Sequence, residues 1–446
     1  TILGQTAPGE GIQVYGNRVS FSGADNLIVR HMRFRMGTPG DSGKDACGIA
    51  NGENMIFDHL SVLWGKDENF SVSWDNKGTR PGKITIQNSI IGQGLQSHSC
   101  GGLIQTDGGV TLYRNLYIEN KTRNPKVKGV NQYVNNVVYN WGDGGGYIMG
   151  DTEGASWAHI ENNYFMRGPW TGTKPFTRGS SAFHYYGAGN WFDNNKDGVL
   201  NGDLLTVEEM NGKQADGRES TWVESLDALN NKVIHEVIHE GTGSSINYDV
   251  ILSEQDRTIP VQIPAISNVM TAAEAYAWMT TNVGPCLPAY DEVDQYIIDE
   301  LCSYGKTGTY NGISNETTQL PHKGIGTLSG GVKPTDTDGD GIPDAWETAN
   351  GLNPNDASDA KAIAANGYAN IENYSFSITE AYPYIKKPVK LAVTRQGKTE
   401  LDLSWDLNKN TTNGFKIETS VDNGSTWTKL GRATGADGKD GQDGKD

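Results

Sequence analysis

Short apolar runs recur along the first third of the chain, each wrapped around one polar residue. NLIVRHMRF carries His31, NMIFDHLSV His59, KITIQNSII Asn88, VTLYRNLYI Asn115, QYVNNVVYN Asn136 and HIENNYFMR Asn163. The intervals between these polar residues are 28, 29, 27, 21 and 27. A strand in every unit at such a period predicts a solenoid. Each unit then buries its apolar side only by stacking on its neighbours. The recurrent polar residue fits an internal hydrogen-bonded ladder, because buried amides need partners. The expected fold is therefore all-β, a right-handed parallel β-helix. An antiparallel sandwich would show hairpin turns at shorter spacing.

The period fades from about Met166 to Ile263, where polar, Gly-rich and helix-like stretches alternate, as in a long loop insertion. Thr271-Ala272-Ala273-Glu274 is a capping box that opens a short helix through Met279, and Asp291 to Leu301 reads as a second helix. From Pro388 the alternation LAVTRQGKTELDLSWDL and GFKIETSVDNGSTWTKL resembles the first strands of a fibronectin-III-like sandwich. The last residues, GADGKDGQDGKD, are of low complexity. The expected domains are a β-helix over 1–265, a helical segment packed on it over 266–330, and a connector over 331–385. A partial fibronectin-III-like segment follows over 386–432, then a disordered tail over 433–446.

Charge narrows the partners. The chain has 446 residues, with 37 Lys and Arg against 54 Asp and Glu, and a net charge of −17. That disfavours nonspecific binding to nucleic acid or to an anionic membrane. A polyanionic substrate would be repelled unless local basic groups or bound cations invert the field. The basic turn Arg123-Asn124-Pro125-Lys126-Val127-Lys128, set between two of the repeats, is where this acidic chain concentrates positive charge. No apolar run is long enough to span a membrane. Thr1-Ile2-Leu3 already reads as a strand, which suggests a mature form or fragment whose start lies upstream. A monomer is expected.

Four cysteines are present. Cys47 and Cys100 lie two repeats apart, roughly 9.5 Å in a stacked solenoid, which is beyond disulfide reach. Cys286 and Cys302 flank a short segment, and a disulfide between them is the expectation, with the oxidising compartment that implies.

Two metal signatures stand out. DTDGDGIPDAWE sets Asp336, Asp338 and Asp340 at positions 1, 3 and 5 of a calcium loop. Gly341 is at 6, the Ile342 carbonyl at 7, Asp344 at 9 and Glu347 at 12. This is expected to be a lone calcium-braced connector. His235-Glu236-Val237-Ile238-His239 matches the zinc-peptidase string HExxH, but it lies in the tandem repeat VIHEVIHE and has no evident third ligand.

The motifs TILGQTAPGEGI, DACGIANGENMIFDHLSV, WGKDENFSVSWD, HSCGGL, TRNPKVKG and NNVVYNWG together resemble the pectate lyases of polysaccharide lyase family one, especially bacterial, Bacteroidetes-like forms. They cover roughly residues 1–165. LPAYDEVDQYIIDEL and the calcium loop also look like that family's C-terminal part. The resemblance implies calcium-assisted β-elimination on polygalacturonate, in a secreted or periplasmic setting. It implies that Arg123, opening an RxPxxR-like motif, is the base that removes the C5 proton. Lys128 stands where the family's second Arg usually sits, keeping the charge without the bidentate fork. By the same resemblance Asp45 with Asp67 or Glu68 holds the primary Ca2+, with one family acid falling near Ser71. His98, Lys126 and Lys128 are implied substrate contacts, and His59 a ladder residue. Trp64 and Trp141 are left open between sugar stacking and core. Polygalacturonases share the β-helix but use clustered acids in NTD, DD and GHG motifs, and none of these strings stands in the repeats. Pectin lyases and noncatalytic carbohydrate-binding solenoids are the other members of this fold to weigh.

Overall fold

The computed structural model describes residues 1–378 apart from 153, 242–244 and 328–329. Beyond these it describes the strands 392–395, 401–404, 415–419 and 428–433 and residue 426. The first of two compact units runs from Thr1 to Thr379 and the second from Glu380 to Asp446.

The first unit is a parallel solenoid with three faces, and the chain visits them in turn. Face one stacks strands such as Leu27–Arg30, Glu53–Asp58, Gly82–Gln87, Ser156–Glu161 and Phe183–Ala188. Face two stacks short strands, among them Ser61–Leu63, Ile90–Gly92, Leu116–Ile118, Val137–Tyr139 and Tyr164–Met166. Face three holds Cys47–Ile49, Phe70–Ser73, Tyr147–Met149 and the first halves of the long strands Leu103–Tyr113 and Lys126–Val134. Those two long strands run on from face three into face one of the next turn.

The period-2 rule of strands sorts the side chains. In each three-residue strand of face two the central residue points inward. Val62, Ile91, Tyr117, Val138 and Phe165 join the interior cluster. Their flanking neighbours Leu63, Ile90, Leu116, Ile118, Val137 and Tyr139 point outward into a second cluster. Helices α1 (Ala272–Asn282) and α2 (Glu292–Leu301) cover that outer row with Tyr276, Met279, Val293, Ile297 and Leu301. The Thr271–Glu274 capping box starts α1 as the sequence predicts.

Face two also carries a buried ion network. Arg33 Nε lies 2.7 Å from Asp294, and Arg35 Nη2 lies 2.9 Å from Asp291 and 2.8 Å from Asp294, all with no exposed side-chain surface. Buried charges persist only when paired in this way. The network therefore fixes the first turn of α2 to the second turn of the solenoid.

The ladder is real, but its first members differ from the expected ones. Asn115 Nδ2 donates to Asn136 (3.1 Å), Asn136 to Asn163 (3.2 Å) and Asn163 to Asn190 (2.9 Å). Ser89 enters the same column, its N–H donating to Asn115 Oδ1 (3.0 Å). His31, His59 and Asn88 sit one residue earlier, at a corner that also holds Arg114, Asn135 and Asn162, all with φ between 52° and 56°. Asn and His tolerate that left-handed corner better than most residues, so polar residues mark two adjacent columns. His59 stacks on His31 at 4.7 Å and its Nδ1 lies 2.7 Å from Asp58.

The solenoid also continues past Met166, where a loop insertion was expected. Phe176–Thr177, Phe183–Ala188, Trp191–Asp193 and Thr221–Val223 pair in parallel with the preceding turns. Longer corner segments between these strands break the sequence period. The hairpin of Ile234–Glu240 and Asn247–Arg257 and the short helices are the inserted parts.

In the second unit two antiparallel pairs are described, Ala392–Arg395 with Leu401–Ser404 and Phe415–Thr419 with Thr428–Ala433. The low-complexity tail from 434 lies outside the described residues. No helix among the described residues is long and apolar enough to cross a membrane.

Candidate functional site

The corner that leads into face three delivers an ionisable residue on each successive turn. Asp45 precedes the strand Cys47–Ile49, Asp67 and Glu68 precede Phe70–Ser73, His98 and Cys100 precede Leu103, and Arg123 precedes Lys126. Two glycines permit this crowding. A Cβ on Gly65 would lie 1.9 Å from the Glu68 carbonyl oxygen, and one on Gly101 would lie 2.5 Å from that of Arg123. The fragments WGKDE and HSCGG therefore need glycine because backbone passes over backbone there.

Asp45, Asp67 and Glu68 each bring a carboxylate oxygen within 4.8 Å of the others. Glu68 N donates to Asp45 Oδ1 (3.2 Å), which fixes the two turns relative to each other. Arg123 Nη1 forms an ion pair with Glu68 Oε1. His98 Nε2 lies 3.0 Å from Asp67 Oδ1. Ser71, buried beside Asp45, accepts a hydrogen bond from Leu103 N (3.2 Å). It is a hydroxyl where the family resemblance expects an acid. Glu68, His98 and Cys100 form a second close trio.

The electrostatics follow from burial. Desolvation, opposed by Arg123 and reinforced by Asp45 and Asp67, pushes the Glu68 carboxyl up to about 8. Burial, with Asp67 nearby, also raises Asp45. Burial alone would lower Arg123, but Cys100 and Glu68 outweigh it and hold the guanidinium more firmly protonated than usual. Three mutually repelling carboxylates of this kind suit a hard divalent cation.

The basic turn divides into two parts. Lys126 is committed to Asp151 (2.9 Å), with Arg178 at 3.6 Å from the same carboxylate. Lys128 lies two residues further along the same face and lines an open cleft of about 230 Å³ with Trp74, Arg80, Gln105, Asp107 and Arg257. Thus Lys126 is held by Asp151, while Lys128 lines a separate cleft.

Several expected residues lie elsewhere. Trp64 and Trp141 are fully buried, their indole N–H groups donating to Gln93 (3.0 Å) and Thr173 (3.0 Å). They are core residues, not sugar platforms. Cys286 and Cys302 are not bridged. Cys286 faces Asp58 and Arg30, whereas Cys302 ends α2 beside Tyr276. Cys47 and Cys100 are buried thiols, as the spacing predicts. The HExxH string lies on the strand Ile234–Glu240, not on the helix that a zinc peptidase needs. Its His235 pairs with Asp256 (2.9 Å) and its Glu236 accepts from Ala155 N (2.7 Å).

The distal loop forms as a second acid cluster. Asp336, Asp338 and Asp340 converge, and Asp340 also converges with Glu347 and Asp359. Asp359 was not expected from the sequence, since it follows the 12-residue loop. Asp344 is tied instead to Thr337, through its N–H (2.7 Å) and its hydroxyl (2.7 Å).

No family model matches the chain. Among curated proteins it is 48% identical over 391 residues to a probable pectate lyase C of Emericella nidulans, covering 87% of this chain and 79% of that one. A probable pectate lyase C of Neosartorya fischeri is 48% identical over 379 residues, covering 85% and 78%. Among solved structures, a Bacillus sp. N165 pectate lyase in complex with trigalacturonate matches with a TM-score of 0.37 and 15% identity over 60% of this chain and 71% of that one. The pectate lyase from Paenibacillus sp. 0602 matches with a TM-score of 0.37 and 12% identity, covering 62% and 77%. Nearly half the residues are shared along most of the two curated relatives, so this chain belongs to the pectate lyase family.

Proposed function

We propose that this polysaccharide lyase cleaves polygalacturonate by calcium-assisted β-elimination, with Arg123 removing the C5 proton. The observation that carries the reading is the convergence of Arg123 with Asp45, Asp67 and Glu68 at one corner of the solenoid. The carboxylate set fits calcium, and Asp45, Asp67 and Glu68 are the residues that would hold it. When bound there, calcium supplies positive charge next to the uronate carboxylate, where negative charge develops.

The chain's own residues do the rest. In the ion pair with Glu68, Arg123 is held charged and is a poor base. Turning Glu68 toward Asp45 and Asp67 releases that hold. Once its own proton has passed to solvent, neutral Arg123 takes the C5 proton, the C–H electron pair becomes the C4–C5 double bond, the C4–O4 bond breaks, and the departing O4 takes a proton from water. His98, paired with Asp67, and the two lysines of the basic turn, Lys126 and Lys128, are the groups that orient uronate carboxylates in this reading, Lys128 from its own cleft. The same reading keeps the affiliation with bacterial family-one lyases, an extracytoplasmic, secreted or periplasmic location, and a monomer.

The test is digestion of polygalacturonate followed by ultraviolet absorbance of 4,5-unsaturated oligogalacturonides. Reducing ends without that absorbance would replace elimination by hydrolysis. Arg123→Lys keeps the charge but loses the planar fork, so turnover should fall by about 10²–10⁴, the usual worth of a positioned base. Near-normal turnover in that variant across neutral to alkaline pH would remove Arg123 from the role.

A further inference from the structure

The distal acid cluster differs from a solvated charge run in how its oxygens are used. Asp336 Oδ1 accepts from Gly339 N (2.8 Å), Asp338 Oδ1 from Asp340 N (3.3 Å) and Asp340 Oδ1 from Ile342 N (2.8 Å). Asp359 Oδ2 accepts from Asn353 N (2.9 Å). One oxygen of each carboxylate thus holds backbone. The other oxygens of Asp338, Asp340 and Asp359 are buried with no hydrogen-bond partner. Glu347 starts from helix α3 (Asp344–Asn350) beside a small apolar cluster, yet its side chain has no exposed surface, and neither carboxylate oxygen has a partner. Buried unpaired carboxylate oxygens are costly, and four such groups directed at one another call for a cation at their centre.

We propose that this is a calcium site whose shell is closed by Asp359 rather than by Asp344. The ninth loop position would ordinarily contribute, but both Asp344 oxygens are spent on Thr337. Asp340 belongs to both close trios, Asp336–Asp338–Asp340 and Asp340–Glu347–Asp359, and so sits at their junction. The ion therefore ties three separate pieces of chain together, the loop, the α3 helix and the one-turn 3-10 helix Asp359–Lys361. Ile342 and Tyr374, packed beside it in a small apolar cluster, share in whatever order the ion imposes. Oxygen-only ligands on flexible spacings favour calcium over the smaller, stricter magnesium. This site is independent of the elimination chemistry.

Peptide-resolved hydrogen exchange on the full chain, read without polygalacturonate, tests it. Calcium should slow exchange across 336–361 at least tenfold relative to chelator. Asp359→Asn should raise the calcium concentration needed for half-protection at least tenfold, while Asp344→Asn, which keeps an acceptor for Thr337, should shift it less than twofold. Should Asp359→Asn stay unprotected at every calcium concentration, Asp359→Glu decides, with recovered protection supporting a ligand and none overturning it. The proposal also falls if calcium leaves 336–361 unchanged, if magnesium protects at the same concentration, or if Asp344→Asn shifts the midpoint as far as Asp359→Asn.

Discussion

At the solenoid corner Asp45, Asp67 and Glu68 crowd together with a guanidinium and an imidazole of the same chain among them, Arg123 on Glu68 and His98 on Asp67. In the distal loop Asp340, Glu347 and Asp359 are equally close, and their inward oxygens meet no donor. Burial drives up both glutamates, Glu68 to about 8 and Glu347 to about 7. The difference lies in what relieves the repulsion. At the corner the chain itself supplies the relief, Arg123 to Glu68 and His98 to the partly exposed Asp67. The loop is closed and lacks such a partner among its converging groups, so an outside ion has only a bracing task. Similar acids thus suit a working site in one place and a clamp in the other.

That contrast fails most visibly if Glu347→Gln lowers turnover as far as Arg123→Lys, expected to cost about 10²–10⁴. Glu347→Gln should leave elimination rates on polygalacturonate within about twofold, since among the described residues the loop's acids converge with one another and not with Asp45, Asp67 or Glu68. A smaller effect sharpens the corner itself. Asp67→Ala should lose turnover at limiting calcium and regain most of it in excess calcium, whereas Arg123→Lys should gain nothing from the same titration. Recovery of Arg123→Lys by calcium would mean that the arginine only organises the acids. Smaller again, Lys128→Ala should raise KM several-fold with little change in kcat, because its cleft is lined by none of Asp45, Asp67, Glu68 or Arg123. A matching fall in kcat would put Lys128 with Arg123.

The smallest expected effect separates the scaffold from both acid clusters. Burial lowers His184 to about 4, with Lys232 adding to the shift. In the unfolded chain the same group titrates near 6.5. Between those values the unfolded state binds the extra proton, so stability present above about pH 6.5 is lost as pH falls toward 4. Thermal unfolding at constant calcium should show that loss, and His184→Asn should flatten it. An unchanged slope would assign the acid sensitivity to other groups, such as the buried His31.

Much of this was legible in the chain because strands of a solenoid repeat where their rungs repeat. NLIVRHMRF to HIENNYFMR announced the period, whereas Asp45, Asp67 and Glu68 came from the family resemblance of the motifs around them. The ladder was misplaced by one residue at His31, His59 and Asn88, since the left-handed corner and the inward column are adjacent and both accept polar residues. The turns beyond Met166 were missed because their corners lengthen while their strands remain short. Asp359 was invisible for a different reason. Its link to Glu347 is made by folding across an intervening turn, which no fixed spacing encodes. The expected Cys286–Cys302 bridge is not formed although both thiols lie within range of Tyr290, since a disulfide needs a specific geometry and not only nearness.

The asparagine column has a consequence for how such chains diversify. Its links join residues 21, 27 and 27 positions apart, yet each closes with the same amide-to-amide geometry. Residues gained or lost at a corner leave that geometry intact, whereas one gained within a strand would turn every following side chain inside out. Heritable change in length is thereby channelled to the corners, and one of those corners is where Asp45, Glu68 and Arg123 meet. Corner segments can therefore differ in length from turn to turn while the column keeps count of the turns.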